Sequence, residues 1–132
     1  MSDLTEDELE ILRGVFDLAR AGEVAQIEEL LRARLPVNLT NSTGDTLLLL
    51  AAYHDHPELV AALLRAGADT SRVNDRGQTA LGAAVFRRST ASVTALLRAG
   101  ADPDLGRQSA RAVATLFELP EMLALLPEPG QG

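Results

Sequence analysis

The sequence predicts an all-α solenoid built from stacked two-helix units. The main observation is an internal repeat, because shifting the chain by 33 residues places the segment Arg65–Asp69 on an identical segment, Arg98–Asp102. The same shift places the pair Leu63–Leu64 on another Leu pair. Within each unit the apolar residues recur at the spacing of two short helices. Since a unit of this length cannot bury its own apolar face, each unit is expected to pack against the next.

Four units are expected within a single domain that covers residues 1–126. Two are internal and two cap the ends, and they lie at about residues 6–40, 41–73, 74–106 and 107–126. The tail, residues 127–132, is expected to be disordered. The predicted helices are Glu6–Ala21, Thr46–Tyr53, Pro57–Ala66, Thr79–Phe86, Thr90–Ala99, Ser109–Leu116 and Pro120–Leu126.

Residues at the expected helix ends support these boundaries. Thr5 followed by Glu8 forms a capping box, in which each side chain accepts a hydrogen bond from the other residue's backbone N–H. Pro57 suits the first turn of a helix, where its missing N–H is not needed. Gly67 and Gly100 are expected to end their helices in the left-handed conformation, which Gly adopts at little cost.

Composition and charge exclude several classes of protein. The chain has 132 residues and a formal net charge of -7, which opposes binding to a nucleic-acid backbone. It has no Cys, so disulfides and thiolate metal sites are excluded. No basic, apolar leader is visible, and the longest apolar run, Leu47–Tyr53, is too short to span a membrane. We therefore expect a cytoplasmic protein, and the exclusive use of Arg over Lys indicates a GC-rich bacterial source.

The repeated pattern resembles the ankyrin repeat over about residues 9–126. That family's motif reads Gly, any residue, Thr-Pro-Leu-His, then Ala-Ala, Leu-Leu and Gly-Ala-Asp, and this chain carries Gly-Ala-Asp at Gly67–Asp69 and Gly100–Asp102. The resemblance implies a non-enzymatic module that binds a protein partner on a concave surface. The family's Pro and His are replaced in the second and third units by Leu47 and Leu49, and by Ala80 and Gly82.

A second departure concerns the tight turn between the two helices of a unit. The family prefers Gly there, and the first unit keeps Gly22, but the next two units have Asp55 and Arg88. A side chain on left-handed backbone is strained. We therefore expect either a positive φ at Arg88, at some cost in stability, or a different turn.

The resemblance also implies where a partner would bind. In the family the concave surface is formed by the tips of the turns and by the exposed ends of the first helices. Carried over by position, the candidate partner-binding residues are Arg20, Asp45, Tyr53, His54, Asp75, Arg76, Gln78, Phe86 and Arg87. Further candidates at the turn tips are Ser42, Thr43, Arg107 and Gln108.

Tyr53 and Phe86 are the strongest of these candidates. They lie one repeat apart, and aromatic residues are enriched where a few residues carry most of the binding energy. The alternative is that both rings cover the ends of their own helices and touch a neighbouring unit. The Arg residues around them favour a partner that presents carboxylates and an apolar anchor.

No arrangement of residues predicts catalysis, a metal or a cofactor. The segment His54–His56 is the only cluster with metal-ligand residue types, and no third His or Cys completes a zinc site. The Ser residues lack the context of a catalytic nucleophile. We expect a protein partner and a monomer when unbound. Two alternatives remain open: an obligate accessory or regulatory subunit of an enzyme, and a small metal-dependent enzyme.

Overall fold

The computed structural model describes residues 5–129, and within them the chain forms eight helices in four consecutive pairs. Residues 1–4 of the predicted domain and 130–132 of the predicted tail lie outside the described residues. Across the described residues no helix is long and apolar enough to cross a membrane. The helices are α1 (Glu6–Ala21), α2 (Val24–Arg32), α3 (Leu47–Tyr53), α4 (Pro57–Arg65), α5 (Ala80–Phe86), α6 (Thr90–Arg98), α7 (Ala110–Leu116) and α8 (Pro120–Leu125).

The helices form two rows. Helices α1, α3, α5 and α7 pack side by side in an inner row, and α2, α4, α6 and α8 form an outer row behind them. Each inner helix also packs against the outer helix of its own unit. The predicted all-α solenoid of two-helix units is therefore confirmed. Helix α2 is the one element that the sequence did not delimit, since its unit matches the repeat poorly.

The core lies between the rows and is continuous along the stack. Every residue of α3 and of α5 is buried except the last, Tyr53 in α3 and Phe86 in α5. Leu63 of α4 and Leu96 of α6 are fully buried at equivalent positions. Small residues such as Ala51 let neighbouring inner helices approach closely, which is why Leu and Ala dominate these segments.

Polar residues cap the inner helices at their N-termini. Thr46, Thr79 and Ser109 are N-caps, and each hydroxyl accepts a hydrogen bond of 3.0–3.1 Å from the backbone N–H three residues later. These helices therefore begin one residue after the predicted starts. The capping box of Thr5 and Glu8 is confirmed, with hydrogen bonds of 2.9 and 3.1 Å.

Left-handed Gly residues follow the outer helices α4 and α6, as predicted. Gly67 has a φ of 88° and Gly100 a φ of 94°. The helices end at Arg65 and Arg98, one residue earlier than predicted, because Ala66 and Ala99 are their C-caps.

The turn between the two helices of each unit also passes through left-handed backbone. The residue there is Gly22 in the first unit, with a φ of 75°, and Asp55, Arg88 and Glu118 in the others, with φ values of 63°, 59° and 53°. The positive φ expected at Arg88 is confirmed. Three of the four turns thus place a side chain in a conformation that favours Gly.

The first residues of the predicted tail, 127–129, are described by the structure, and Pro127 contacts the last unit. A terminal N–H of Arg111 donates to the carbonyl of Pro127, and the Arg111 Nε donates to Asp104 at 2.8 Å. These contacts tie the start of the tail to helix α7 and to the turn before it.

We predict that Leu63→Ala and Leu96→Ala each lower the free energy of unfolding by about 2–5 kcal/mol, because each loses transfer free energy and leaves a cavity. Chemical denaturation measures the loss. The matched control is Leu116→Ala, whose side chain is 74% exposed and whose loss should stay below about 1 kcal/mol. A small loss at both buried positions would contradict their place in the core.

We predict that Arg88→Gly raises the free energy of unfolding by about 1 kcal/mol, because Gly relieves the strain of the left-handed backbone. The control is Ala95→Gly inside helix α6, which should lower stability by about 0.5–1 kcal/mol through added backbone entropy. Thermal melts of both variants decide the matter. A lower melting temperature for Arg88→Gly would show that the Arg88 side chain stabilises the turn more than its backbone strains it.

Candidate partner-binding surface

Three aromatic rings form a row on the surface, one at the end of each of the last three inner helices. We call Tyr53, Phe86 and Phe117 the aromatic row; their exposed fractions are 40%, 44% and 51%. The rings of Tyr53 and Phe86 stack with centroids 6.4 Å apart and an interplanar angle of 7°. Phe117 meets Phe86 edge-on, with centroids 5.5 Å apart. The rings contact one another across units while each keeps a large part of its surface in solvent.

The packing of the inner row explains this position. Tyr53 and Phe86 are the final residues of α3 and α5, whose other residues are buried on all sides. Their rings lie side by side because adjacent inner helices pack against each other. The alternative in which they cover neighbouring units is correct in part, since each ring touches the next, but neither ring is in the core.

Phe117 and Leu116 were missed by sequence reasoning. The segment between α6 and α7, residues 99–109, is three residues shorter than the segment between α4 and α5, residues 66–79, so Phe117 follows Phe86 by 31 residues and the offset of 33 passes over it. Phe117 is the C-cap of α7, the position that Arg87 has after α5, and Leu116 ends α7 as Phe86 ends α5. Pro120 was an available signal, because it opens the outer helix α8 and fixes the position of the turn before it.

Arg87 contacts Tyr53 at one end of the aromatic row. Its Nε donates to the backbone carbonyl of Tyr53, and its guanidinium carbon lies 5.7 Å from the centroid of the Tyr53 ring. A guanidinium over an aromatic face is attracted by the ring's quadrupole. The His54 ring meets Tyr53 edge-on from the other side, with centroids 5.2 Å apart.

A recess opens beside the last two rings of the aromatic row. We call it the apolar recess; it has a volume of about 140 Å³, and its lining includes Gly82, Ala83, Phe86, Val113 and Phe117. Tyr53 and the side chains of Gln78 and Gln108 complete the lining. Gly82 occupies the position at which the family motif has His. No larger residue fits there, since a Cβ on residue 82 would lie 2.8 Å from the carbonyl oxygen of Gln108.

A second depression lies on the other side of Tyr53. We call it the basic depression; it has a volume of about 210 Å³ and is lined by Arg20, Asp45, Leu49, Leu50, Tyr53, His54, Arg76 and Gln78. Burial lowers the pKa of the His54 imidazole below its ordinary value, and the positive charges of Arg20 and Arg87 lower it further.

Asp45 lies in this lining but serves the fold. It is only 6% exposed, and its carboxylate accepts hydrogen bonds from Asn74 at 2.8 Å, Thr43 at 2.9 Å and Asn41 at 3.3 Å. Burial acts to raise the pKa of Asp45, but these hydrogen bonds and the charge of Arg76 hold it below its ordinary value. The carboxylate joins two successive turn tips, so we leave Asp45 out of the surface proposed below.

Of the remaining predicted residues, Arg20, Arg76 and Gln78 line the basic depression, and Asp75 lines neither depression. Asp75 and Arg76 are exposed at a turn tip, and Gln78 is half-buried with its side-chain oxygen accepting from Asn74 at 2.8 Å. The Arg20 guanidinium donates to Asp17 at 2.8 Å. The structure thus brings Arg20, Arg76 and Gln78 together in the lining of one depression.

His56, the other histidine of the candidate metal cluster, has a packing role. Its Nε2 lies 2.7 Å from the carbonyl oxygen of Arg20, and its ring occupies the space beside Gly22. Among the described residues, no group of three or more His, Cys, Asp or Glu is arranged to hold a metal ion.

Comparison with known proteins agrees with this architecture. Residues 16–107 match the family model for ankyrin repeats in three copies. The chain is 45% identical over 58 residues to an ankyrin repeat protein of Pseudomonas aeruginosa. The aligned region covers 44% of this chain and 34% of that protein. The ankyrin repeat domain of human ASB11 superposes with a TM-score of 0.74 at 27% identity, over 83% of this chain and 52% of that one.

These matches are of unequal extent. The aligned region spans about a third of the Pseudomonas protein and about half of the ASB11 domain, so the activities of those whole proteins are not carried over. The family model covers most of the chain, and the predicted Gly-Ala-Asp signatures lie inside it. Ankyrin repeats are in general modules for protein–protein interaction. On this evidence the chain belongs to the ankyrin repeat family.

Proposed function

We propose that this chain is a non-enzymatic module that binds a protein partner on the surface formed by the aromatic row and the turn tips beside it. The observation that carries the proposal is the placement of the aromatic residues. The chain has only four, and three of them lie next to one another at the surface while Phe16 alone is buried. Burying an aromatic ring stabilises a core more than burying most other side chains does. The exposure of these three rings therefore forgoes stability that the fold could have gained.

The surroundings of the row resemble an interface. Tyr, Phe and Arg are enriched at the centres of protein interfaces, and Arg20, Arg76 and Arg87 lie beside the rings. The contacts among the rings and with Arg87 hold the row in one geometry before a partner arrives. A preformed surface loses less conformational entropy on binding than a flexible one.

An obligate accessory subunit of an enzyme would use the same surface. The two forms of the function differ in how the complex responds to salt, because a larger and more apolar interface survives high salt. Purification of the complex from its native cell at low and at high salt separates a subunit that stays bound from an adaptor that is released.

We predict that the double variant Tyr53→Ala/Phe86→Ala weakens binding to the natural partner by at least about 2 kcal/mol, roughly thirtyfold in affinity. The partner is first identified by affinity capture and mass spectrometry, and the variant is then titrated against it. Because both rings are partly exposed, the free energy of unfolding should fall by only about 1 kcal/mol.

The matched control is Leu9→Ala/Ile11→Ala, which removes two exposed apolar side chains from the first half of α1. This control should bind as tightly as the wild type. Unchanged affinity in Tyr53→Ala/Phe86→Ala would place the binding site elsewhere on the molecule. A collapsed fold in that variant would show that the two rings act as core.

A further inference from the structure

The apolar recess and the basic depression are neighbours that share Tyr53 and Gln78 in their linings. One offers an apolar contact with Phe86 and Phe117, and the other offers cationic groups. A ligand that lies across Tyr53 can enter both at once. The chemistry of the two depressions therefore specifies the ligand more narrowly than the aromatic row alone.

The apolar recess has the size of one side chain. Its volume of about 140 Å³ is close to that of an engineered apolar cavity, of about 150 Å³, that binds benzene. The small residues Gly82 and Ala83 form part of its lining beside the two Phe rings. A Leu, Met or Phe side chain placed there would be partly shielded from water and would contact the apolar lining.

The basic depression favours a carboxylate. Among the described residues, the guanidinium of Arg76 makes no hydrogen bond or ion pair, whereas Arg20 is already paired with Asp17. Asp45 is the acidic group in the lining, and its carboxylate is engaged by Asn74 and its neighbours. A planar guanidinium can bind a carboxylate through two parallel hydrogen bonds.

The charge of this surface differs from that of the whole molecule. The protein carries a net charge of -7, which by itself repels acidic ligands. Three of its twelve Arg residues nevertheless lie beside Tyr53, and two of them depress the pKa of His54. A local cationic surface on an acidic protein selects for a ligand of opposite charge.

We propose that this surface binds an extended acidic segment of a partner protein, with an apolar side chain in the apolar recess and a carboxylate two residues away at Arg76. This inference rests on the proposed function and adds the chemistry of the partner. Side chains two residues apart on an extended segment lie on the same side, about 6.6 Å apart. The two depressions are adjacent, as this spacing requires, because Tyr53 and Gln78 line both of them.

The test uses synthetic fluorescent peptides of twelve residues and measures their affinity by anisotropy. The test peptides carry a single Leu-x-Asp or Asp-x-Leu element in a neutral, polar background. Matched peptides replace the Leu by Ala, the Asp by Asn, or the Asp by Lys. We expect one order of the element to bind at least tenfold more tightly than each of its three matched peptides.

Protein variants assign each contact. Arg76→Gln should remove the preference for Asp over Asn, and Phe117→Ala should remove the preference for Leu over Ala. The control Arg98→Gln, on the outer helix α6, should leave both preferences unchanged. In the wild type, the titration of the His54 ring protons followed by NMR should move to higher pH when the Asp peptide binds, and should not move with the Asn peptide.

Several results would overturn the inference. One is equal binding of the Asp, Asn and Lys peptides, and another is unchanged preferences in both variants. Self-association that these variants abolish would identify a second copy of the chain as the occupant. If Phe117→Ala fails to fold, the Leu-to-Ala change in the peptide still measures the contact. The double variant Tyr53→Ala/Phe86→Ala could lose binding to the natural partner while the wild type binds all the peptides equally. That pair of results would refute this inference and leave the proposed function standing.

Discussion

The burial of the inner helices α3 and α5 is the constraint on which the rest of the structure depends. Each packs against inner neighbours on two sides and against an outer helix behind, so only its final residue reaches solvent. Those final residues, Tyr53 and Phe86, recur once per unit and become neighbours across the stack. The same packing that stabilises the solenoid therefore aligns the side chains of the proposed binding surface.

The turn tips supply the second set of groups by a similar repetition. The side chain of Asn74 donates to Asp45 at 2.8 Å, and the backbone N–H of Gln108 donates to the carbonyl of Gly77 at 2.9 Å. Each hydrogen bond joins one turn to the next. These hydrogen bonds fix the backbone of the turn tip but do not engage the Arg76 side chain. The Arg76 guanidinium is therefore positioned near the rings without being paired to any described residue.

The repeat allowed most of the fold to be predicted, but less of the surface. A period of 33 residues located the internal units, the left-handed Gly67 and Gly100, and the row that begins with Tyr53 and Phe86. Phe117 was missed because the shorter segment between α6 and α7 breaks the period. The burial of Asp45 was missed because its partner, Asn74, lies 29 residues away, and sequence spacing does not reveal a side-chain hydrogen bond between units.

The first tight turn requires Gly for a reason other than the backbone strain found at the other three tight turns. Asp55, Arg88 and Glu118 show that this fold tolerates side chains at positive φ, so backbone conformation alone does not require Gly22. Packing does, since a Cβ there would lie 2.5 Å from Nδ1 of His56. The His56 ring in turn reaches the carbonyl of Arg20 at 2.7 Å and fixes the end of α1. The absence of a side chain at Gly22 thus allows His56 of the next unit to fix the backbone of Arg20 at the edge of the basic depression.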